Sequence, residues 1–193
     1  FKLQEAKEAY RILLEGQGVL GMVLEYPQTT PSGDDTLFEK TIIFHSKPAP
    51  QKLEDPGVGF VGAGNYATRS LIPAFKEAGA RLVSVASAGG VSGAYAARKF
   101  GFAETTTDTA RLISDPKIRA VVITTRHNSH AALVREALAA GKHVFVEKPL
   151  CLTLEELHEI RKVYEERLPS PVLTVGFNRR FAPHIVKMKE LIR

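Results

Sequence analysis

The strongest constraint on the fold of this chain is a glycine-rich stretch at residues 57–67, Gly-Val-Gly-Phe-Val-Gly-Ala-Gly-Asn-Tyr-Ala. An apolar run leads into Gly62 and Gly64, and Ala67 completes the spacing G-x-G-x-x-A. Gly62 permits a sharp turn out of a strand, Gly64 lets a pyrophosphate approach the backbone, and Ala67 lets the next helix pack closely. The unpaired N–H groups at the start of that helix attract phosphates. The stretch therefore predicts a dinucleotide-binding turn, and a tight turn without a ligand is the alternative.

Strand and helix patterns alternate around this turn. Strands are expected at 19–26, 37–44, 82–86, 120–124, 143–146 and 172–177, and helices at 3–14, 65–78, 108–113, 131–140, 153–166 and from about 183. Pro73 should bend its helix, and Thr153 with Glu156 forms a capping box. Short apolar strands between amphipathic helices indicate a parallel sheet covered on both faces. The predicted fold is α/β: a Rossmann doubly wound parallel sheet, plus a small N-terminal helix-and-two-strand segment.

A second informative stretch runs from residue 140 to 150, where a helix ends and a strand delivers Glu147, Lys148 and Pro149 at its carboxyl end. Ligands of open α/β sheets bind at that edge, where the glycine turn also lies. A lysine there can stabilise a developing alkoxide or pass a proton to it during hydride transfer. Glu147 could hold the ammonium group or accept a ribose hydroxyl. The alternative is a solvated turn that ends at a proline.

The two stretches together resemble the glucose–fructose oxidoreductase / inositol dehydrogenase (Gfo/Idh/MocA) family over about residues 57–193. The resemblance also covers His130 and the run Gly176-Phe-Asn-Arg-Arg-Phe-x-Pro183. It implies an NAD(P)-binding Rossmann domain of an oxidoreductase that transfers hydride to or from a sugar or polyol-like alcohol or ketone. Lys148 matches the family's catalytic lysine and Arg180 its arginine. The family's later acidic residue and histidine lie beyond Arg193, so we expect cofactor binding without complete catalysis. A non-catalytic dinucleotide sensor or scaffold is the alternative.

The expected site residues follow from these matches. We expect the cofactor to contact Gly62, Gly64, Asn65, Tyr66, Ala67, Ser87, Thr124, Thr125, His130, Glu147 and Lys148, and the substrate to contact Lys148, Asn178 and Arg180. No carboxylate follows the predicted strand at 82–86, because residues 87–93 read Ser-Ala-Gly-Gly-Val-Ser-Gly. NAD and NADP therefore stay open, with a slight lean to NADP. Arg98 or Lys99 could supply charge there, or could be solvated helix residues.

Two other groups of residues carry weaker expectations. The chain has Thr125-Arg126-His127 where the family usually has Thr-Pro-Asn. We still expect this loop to lie against the cofactor, and its particular contacts stay open. Arg126 could bind a phosphate or a carboxylated substrate, or it could be a surface arginine that faces solvent. The histidines show no metal-ligand spacing, and we expect no metal.

The N-terminal part resembles another family more loosely. Residues 8–13 (Glu-Ala-Tyr-Arg-Ile-Leu) and 18–24 (Gly-Val-Leu-Gly-Met-Val-Leu) are similar to the carboxyl end of a zinc-type, medium-chain alcohol dehydrogenase, without that family's zinc ligands. The alternative is that these residues form an ordinary amphipathic helix followed by a strand, without any relation to that family. The chain begins with Phe1 and ends in a helical pattern, so we expect a piece of a two-part oxidoreductase. The expected limits are 1–45 for this segment, 46–56 for a linker, 57–180 for the Rossmann domain and 181–193 for the start of a substrate domain.

Composition narrows the remaining classes. The 193 residues carry a net charge of +5, but the basic residues are scattered, so we expect no nucleic-acid partner. No apolar run approaches the ~20 residues of a membrane helix, and no secretory signal is visible. The single cysteine, Cys151, favours a cytoplasmic location. The expected partner is a small, carbohydrate-like substrate, with homo-oligomers formed through the missing C-terminal domain.

Overall fold

The computed structural model describes residues 1–16, 21–26, 39–44, 56–167 and 169–192. The chain divides into two compact units, Phe1–Glu39 and Lys40–Arg193. The linker predicted at 46–56 lies outside the described residues except for Pro56, so that prediction stays untested.

The first unit contains one regular helix. Helix α1, Ala6–Glu15, follows a short 3₁₀ turn at Leu3–Glu5 and ends at Gly16, whose φ of 69° is left-handed. In the described part of the predicted strand at 19–26, the chain forms a single bridge between Lys2 and Glu25. One bridge without a further paired strand does not make a ladder, so the strand prediction fails there. Leu14 is 86% exposed and Val23 79%, so this unit leaves apolar surface uncovered.

The second unit is built on a seven-stranded sheet. Its strands are β1 Thr41–Ile43, β2 Gly57–Val61, β3 Arg81–Ala86, β4 Glu104–Thr106, β5 Ala120–Ile123, β6 His143–Glu147 and β7 Leu173–Gly176. The spatial order is β1-β4-β3-β2-β5-β6-β7. Only β1 pairs antiparallel, with β4, among these seven strands. The edge strand β1 therefore belongs to the Rossmann sheet, although the sequence assigned residues 41–45 to the first segment.

Helices connect the strands. They are α2 Ile72–Glu77, α3 Val91–Phe100, α4 Thr109–Ser114, α5 His130–Ala139, α6 Leu154–Glu165 and α7 Pro183–Ile192. Short 3₁₀ turns lie at His127–Ser129 and Asn178–Phe181. Thr153 caps α6 with Glu156 in the predicted capping box. A π-helical turn, Ala67–Leu71, precedes α2, so the irregularity expected at Pro73 occurs one turn earlier, and the proline stands in the first turn of α2.

Two apolar layers cover the sheet, one on each face. Because successive strand residues point to opposite faces, β5 places Val122 in one layer and Val121 with Ile123 in the other. The first layer contains Phe60, whose ring centroid lies 5.5 Å from that of Phe75 and 5.8 Å from that of Phe102, edge to face. The second layer packs the sheet against α4, α5 and α6. The predicted Rossmann-type α/β fold is confirmed.

Two elements of the second unit were not predicted as such. Helix α3 follows a glycine-rich turn, and strand β4 is only three polar residues long. Neither segment carries a strong periodic apolar pattern, so tertiary packing determines both. Among the described residues, no helix is long and apolar enough to cross a membrane.

Candidate functional site

The glycine turn leaves β2 in the conformation that the sequence predicted. Gly62 has a φ of 108°, and its N–H donates to the carbonyl oxygen of Ala86 at 2.8 Å. A Cβ atom at Gly62 would lie 2.7 Å from Thr124 Oγ1 and 2.8 Å from the Thr124 carbonyl oxygen. Thr124 also donates its hydroxyl to the Gly62 carbonyl oxygen at 3.0 Å. The end of β5 therefore holds this turn in place.

Gly64 has different surroundings. It is exposed, and no heavy atom lies within 4 Å of the position that a Cβ would take. The carbonyl oxygen of Gly64 accepts hydrogen bonds from the backbone and the hydroxyl of Thr68, both at 3.0 Å. Ala67 is buried beneath the turn at 1% exposure. The turn thus keeps a fixed backbone with free space above Gly64, which a diphosphate requires.

The carboxyl end of β6 lies at the same edge of the sheet, two strands away from β2. Lys148 follows β6 directly, is exposed, and precedes Pro149 through a cis peptide bond. The Oε1 atom of Glu147 is buried without a hydrogen-bond partner among the described residues. A Cβ on Gly176 would lie 2.7 Å from that oxygen, so the absence of a side chain on β7 makes room for the carboxylate. A carboxylate oxygen accepts hydrogen bonds, but a ligand hydroxyl reaches this one only after the Glu147 side chain moves.

His130 connects the loops that follow β5 and β6. Its side chain is fully buried, with Nδ1 2.7 Å from the Pro149 carbonyl oxygen and Nε2 3.2 Å from the Thr125 carbonyl oxygen. Both ring nitrogens therefore face backbone carbonyl oxygens, and the predicted contact of His130 with the cofactor stays a prediction. The sequence marked this residue through the family pattern but gave no sign of its two partners.

Asn178 and Tyr66 meet across the sheet edge. The Asn178 amide Nδ2 donates to the Tyr66 hydroxyl at 2.6 Å, although 112 residues separate them. Arg180 donates from Nε to the Phe177 carbonyl oxygen at 3.2 Å and stacks on Phe181, and its predicted substrate contact stays a prediction. Sequence reasoning named both Tyr66 and Asn178 but missed their contact.

The turn after β3 contains Ser87, whose hydroxyl accepts a hydrogen bond from the Gly93 N–H at 3.0 Å. A Cβ on Gly93 would lie 2.7 Å from the Ser87 Oγ, so only glycine lets α3 begin this close to the turn. Sequence reasoning did not single out Gly93. Arg98 instead stacks on the ring of Phe44, with 5.8 Å between Cζ and the ring centroid. Lys99 lies over Tyr95 and Phe100, on the last turns of α3.

The loop after β5 is held by small hydroxyl side chains. The Thr125 and Ser129 hydroxyls are 2.6 Å apart, and the Ser129 hydroxyl also donates to the Arg126 carbonyl oxygen at 2.8 Å. The side chains of Arg126 and His127 are exposed. Within the described ranges, no three His, Cys, Asp or Glu side chains are grouped to hold a metal ion.

Two side chains of the second unit have shifted acidities: Lys142, before β6 at the amino edge of the sheet, and Cys151, shortly after Lys148 at the carboxyl edge. Burial lowers the pKa of Lys142, the Asp115 carboxylate opposes this, and Arg119 adds to it. The Lys142 ammonium donates to the carbonyl oxygens of Asp115 and Ile118, both at 2.8 Å. Burial and the neighbouring Glu156 raise the pKa of the Cys151 thiol, which disfavours the reactive thiolate.

The glycine turn, the open space above Gly64 and the polar ends of β5 and β6 define a dinucleotide-binding domain of the Rossmann type. The comparison with known families agrees. Residues 57–177 match the Gfo/Idh/MocA family, an oxidoreductase family with an NAD-binding Rossmann fold. The chain belongs to this family.

Individual relatives support the same assignment. The chain is 36% identical over 134 residues to inositol 2-dehydrogenase of Rhizobium meliloti, covering 69% of this chain and 39% of that protein. It is 34% identical over 139 residues to levoglucosan dehydrogenase of Pseudarthrobacter phenanthrenivorans, covering 70% of this chain and 35% of that protein. The chain therefore spans well under half the length of these relatives.

Solved structures show the same fold. Myo-inositol dehydrogenase from Lactobacillus casei, in complex with NAD(H) and myo-inositol, has a TM-score of 0.65 at 32% identity. That match covers 72% of this chain and 41% of that structure. Levoglucosan dehydrogenase, in complex with NADH and levoglucosan, has a TM-score of 0.64 at 32% identity, covering 72% of this chain and 39% of that one.

Proposed function

We propose that this chain is the cofactor-binding domain of an NAD(P)-dependent oxidoreductase that acts on a CH–OH group of a sugar or polyol. The observation that carries the proposal is the common edge on which the open glycine turn and Lys148 lie. Strands β2, β5 and β6 are neighbours, so the ends of β2 and β6 are about 10 Å apart. An extended dinucleotide can reach from one to the other. The named relatives act on inositol and levoglucosan, which supports a polyol-like substrate.

Each residue has a role in this proposal. When bound, the nicotinamide ring supplies the acceptor or donor for hydride. Lys148 stabilises negative charge on the substrate oxygen or exchanges its proton, because an ammonium group beside a developing alkoxide lowers its energy. The backbone at Gly62, Gly64, Asn65, Tyr66 and Ala67 binds the diphosphate. Thr124 and Thr125 hold the neighbouring loop against the cofactor.

In this proposal the Glu147 side chain turns so that its carboxylate accepts a hydrogen bond from a hydroxyl of the nicotinamide-side ribose. Its buried Oε1 atom has no partner within the described part of the chain, and a buried carboxylate oxygen without a donor is costly. A sugar hydroxyl would satisfy it. In this proposal His130 acts as a positioning residue, because its ring lies between the carbonyl oxygens of the two loops.

The cofactor preference follows from the turn at Ser87. The sequence slightly favours NADP, because the turn lacks the carboxylate that would repel a 2′-phosphate. Arg98 and Lys99, the cations considered for that phosphate, stack on aromatic rings towards the far end of α3. With neither type of charge beside Ser87, we propose that the site discriminates only weakly between NAD and NADP.

We also propose that the chain is part of a longer, two-part oxidoreductase. The relatives are more than twice as long as the aligned segment, and their remaining length would supply the rest of the substrate site. In this proposal Asn178 and Arg180 face the substrate domain that begins after residue 180. The exposed apolar side chains of the first unit support its origin as the end of a larger, alcohol-dehydrogenase-like domain. Cytoplasmic location and oligomers formed through the C-terminal domain belong to the same proposal.

A binding experiment tests the cofactor site. We expect the fluorescence of NADH, and separately of NADPH, to titrate saturably against the chain. Gly64→Val should abolish binding without lowering the free energy of unfolding, because the new side chain occupies open space. Gly21→Val is the control, since a Cβ on Gly21 also meets open space, outside the Rossmann sheet. Equal binding by the wild type and Gly64→Val would contradict the proposal.

Lys148 tests the catalytic part in the longer protein. We expect Lys148→Ala to lose at least about 100-fold in kcat with cofactor affinity retained, as for removal of a general acid–base group. Turnover that is unchanged in Lys148→Ala, with cofactor still bound, would favour the sensor or scaffold alternative.

A further inference from the structure

The contact between Tyr66 and Asn178 joins two distant parts of the sheet edge. Tyr66 follows β2 and stands directly before the π-helical turn, whereas Asn178 follows β7 and opens the 3₁₀ turn Asn178–Phe181. Their side chains form a hydrogen bond of 2.6 Å. In the sheet, β5 and β6 lie between β2 and β7, so the contact spans about 14 Å at the carboxyl edge. The ends of β5 and β6, with Thr124 and Lys148, lie within that span.

Both partners are held by their own backbone. The Phe177 N–H donates to the Val175 carbonyl oxygen at 2.8 Å, and the Ala182 N–H donates to the Arg179 carbonyl oxygen at 3.0 Å, which fixes the turn that carries Asn178. On the other side, Thr68 bonds back to the Gly64 carbonyl oxygen and fixes the first turn after the glycines. The hydrogen bond therefore connects two ordered turns, and its loss would let them separate.

The Oε1 atom of Glu147, proposed above as the acceptor for the nicotinamide-side ribose, lies inside this span. It lies against Gly176 at the end of β7, without a hydrogen-bond partner among the residues described. A ligand that reaches from Gly64 to this oxygen must cross the same stretch of edge that the Tyr66–Asn178 bond crosses.

We propose that Tyr66 and Asn178 form a latch that closes over the dinucleotide between its diphosphate and its nicotinamide. This inference rests on the proposed cofactor site. In this proposal the bond is formed both before and after the cofactor binds, so the latch opens for entry and again for release. A latch that is closed in both states changes the two rates and leaves their ratio unaltered.

Stopped-flow measurement of NADH fluorescence tests the latch on the 193-residue chain. We expect Tyr66→Phe and Asn178→Ala each to raise the association and the dissociation rate constants by the same factor, roughly two- to tenfold, the range that one hydrogen bond corresponds to. Kd should stay within about twofold of the wild type, and the double variant should be no faster than either single one. Tyr95→Phe is the control, because Tyr95 is an exposed tyrosine on α3 outside the span.

Each other outcome overturns a definite statement. Unchanged rate constants in variants that bind NADH would reject the latch and leave the cofactor site intact. A higher Kd caused by faster dissociation alone would also reject it, because Tyr66 would then be a direct cofactor contact. Absence of NADH binding by the wild type would reject the proposed cofactor site, and the latch with it.

Discussion

The Nδ1 atom of His130 lies 2.7 Å from the carbonyl oxygen of Pro149, one residue after Lys148. The other ring nitrogen faces the carbonyl oxygen of Thr125, after β5. A neutral imidazole donates from one nitrogen only, so at most one of these carbonyls receives its hydrogen bond from a neutral ring. The buried neutral ring thus lies between the two loops, donating to the carbonyl of one and packing against that of the other.

Replacing His130 should therefore destabilise the fold. We expect His130→Ala to lower the free energy of unfolding by about 3 kcal/mol, because it removes a buried ring and its bonds to backbone carbonyls. Urea denaturation measures this change. The control is His158→Ala, an exposed residue on α6, which should change stability by no more than about 0.5 kcal/mol. Equal effects of the two substitutions would contradict the assigned role.

Gly62 and Gly64 should respond oppositely to a side chain. Gly62→Ala should lower the free energy of unfolding by about 2 kcal/mol or more, because φ is positive and the new Cβ would overlap Thr124. Gly64→Ala should leave stability unchanged within about 0.5 kcal/mol. Chemical denaturation of both variants measures the difference. A stable Gly62→Ala variant would show that the turn can relax.

Lys142 should contribute a pH-dependent term to stability. Lys142→Met should cost about 2 kcal/mol near neutral pH, because the carbonyl oxygens of Asp115 and Ile118 lose their donor. The folded pKa is lowered, so between it and the ordinary value the unfolded chain binds more protons and stability rises with pH. Below both values this rise is absent. The free energy of unfolding of Lys142→Met should lack this increase with pH, whereas that of the exposed control Lys117→Met should keep it. Chemical denaturation over an alkaline pH series measures both.

Ser84 offers a substitution that should stabilise the protein. Its hydroxyl is fully buried in β3 and has no hydrogen-bond partner in the described part of the chain. Ser84→Ala should leave stability unchanged or raise it by up to about 1 kcal/mol. Thr105→Val in the neighbouring strand should instead cost about 1 kcal/mol, because Thr105 donates to the Val85 carbonyl oxygen. Thermal unfolding of the two variants would reveal opposite shifts, and shifts of the same sign would refute the interpretation.

A carboxylate at position 87 should create a cofactor preference. Ser87→Asp keeps an oxygen that can accept from the Gly93 N–H, and adds a negative charge where a 2′-phosphate would lie. We expect NADPH affinity to fall at least about tenfold and NADH affinity to change little. Separate titrations measure both, with Ser87→Asn as the neutral control. Unchanged NADPH affinity in Ser87→Asp would mean that Ser87 does not lie beside the 2′-phosphate.

Much of the fold could be predicted because its signals are local. The capping box at Thr153, the left-handed end of α1 at Gly16 and the apolar strands of the Rossmann unit depend on neighbouring residues. Strand β4 has only the sequence Glu-Thr-Thr and pairs with β3 and the edge strand β1. That pairing depends on residues far along the chain, so no local pattern predicted it.

The sequence by itself determined the glycine turn and the lysine at the end of β6. Only glycine adopts the φ of position 62 freely, and parallel strands bring their carboxyl ends to one edge. Tertiary structure alone decided that His130 binds two loops, that Glu147 keeps a buried oxygen without a partner, and that Tyr66 meets Asn178. These contacts join loops, turns and strands that are far apart in the sequence, and their geometry exists only once the sheet has assembled.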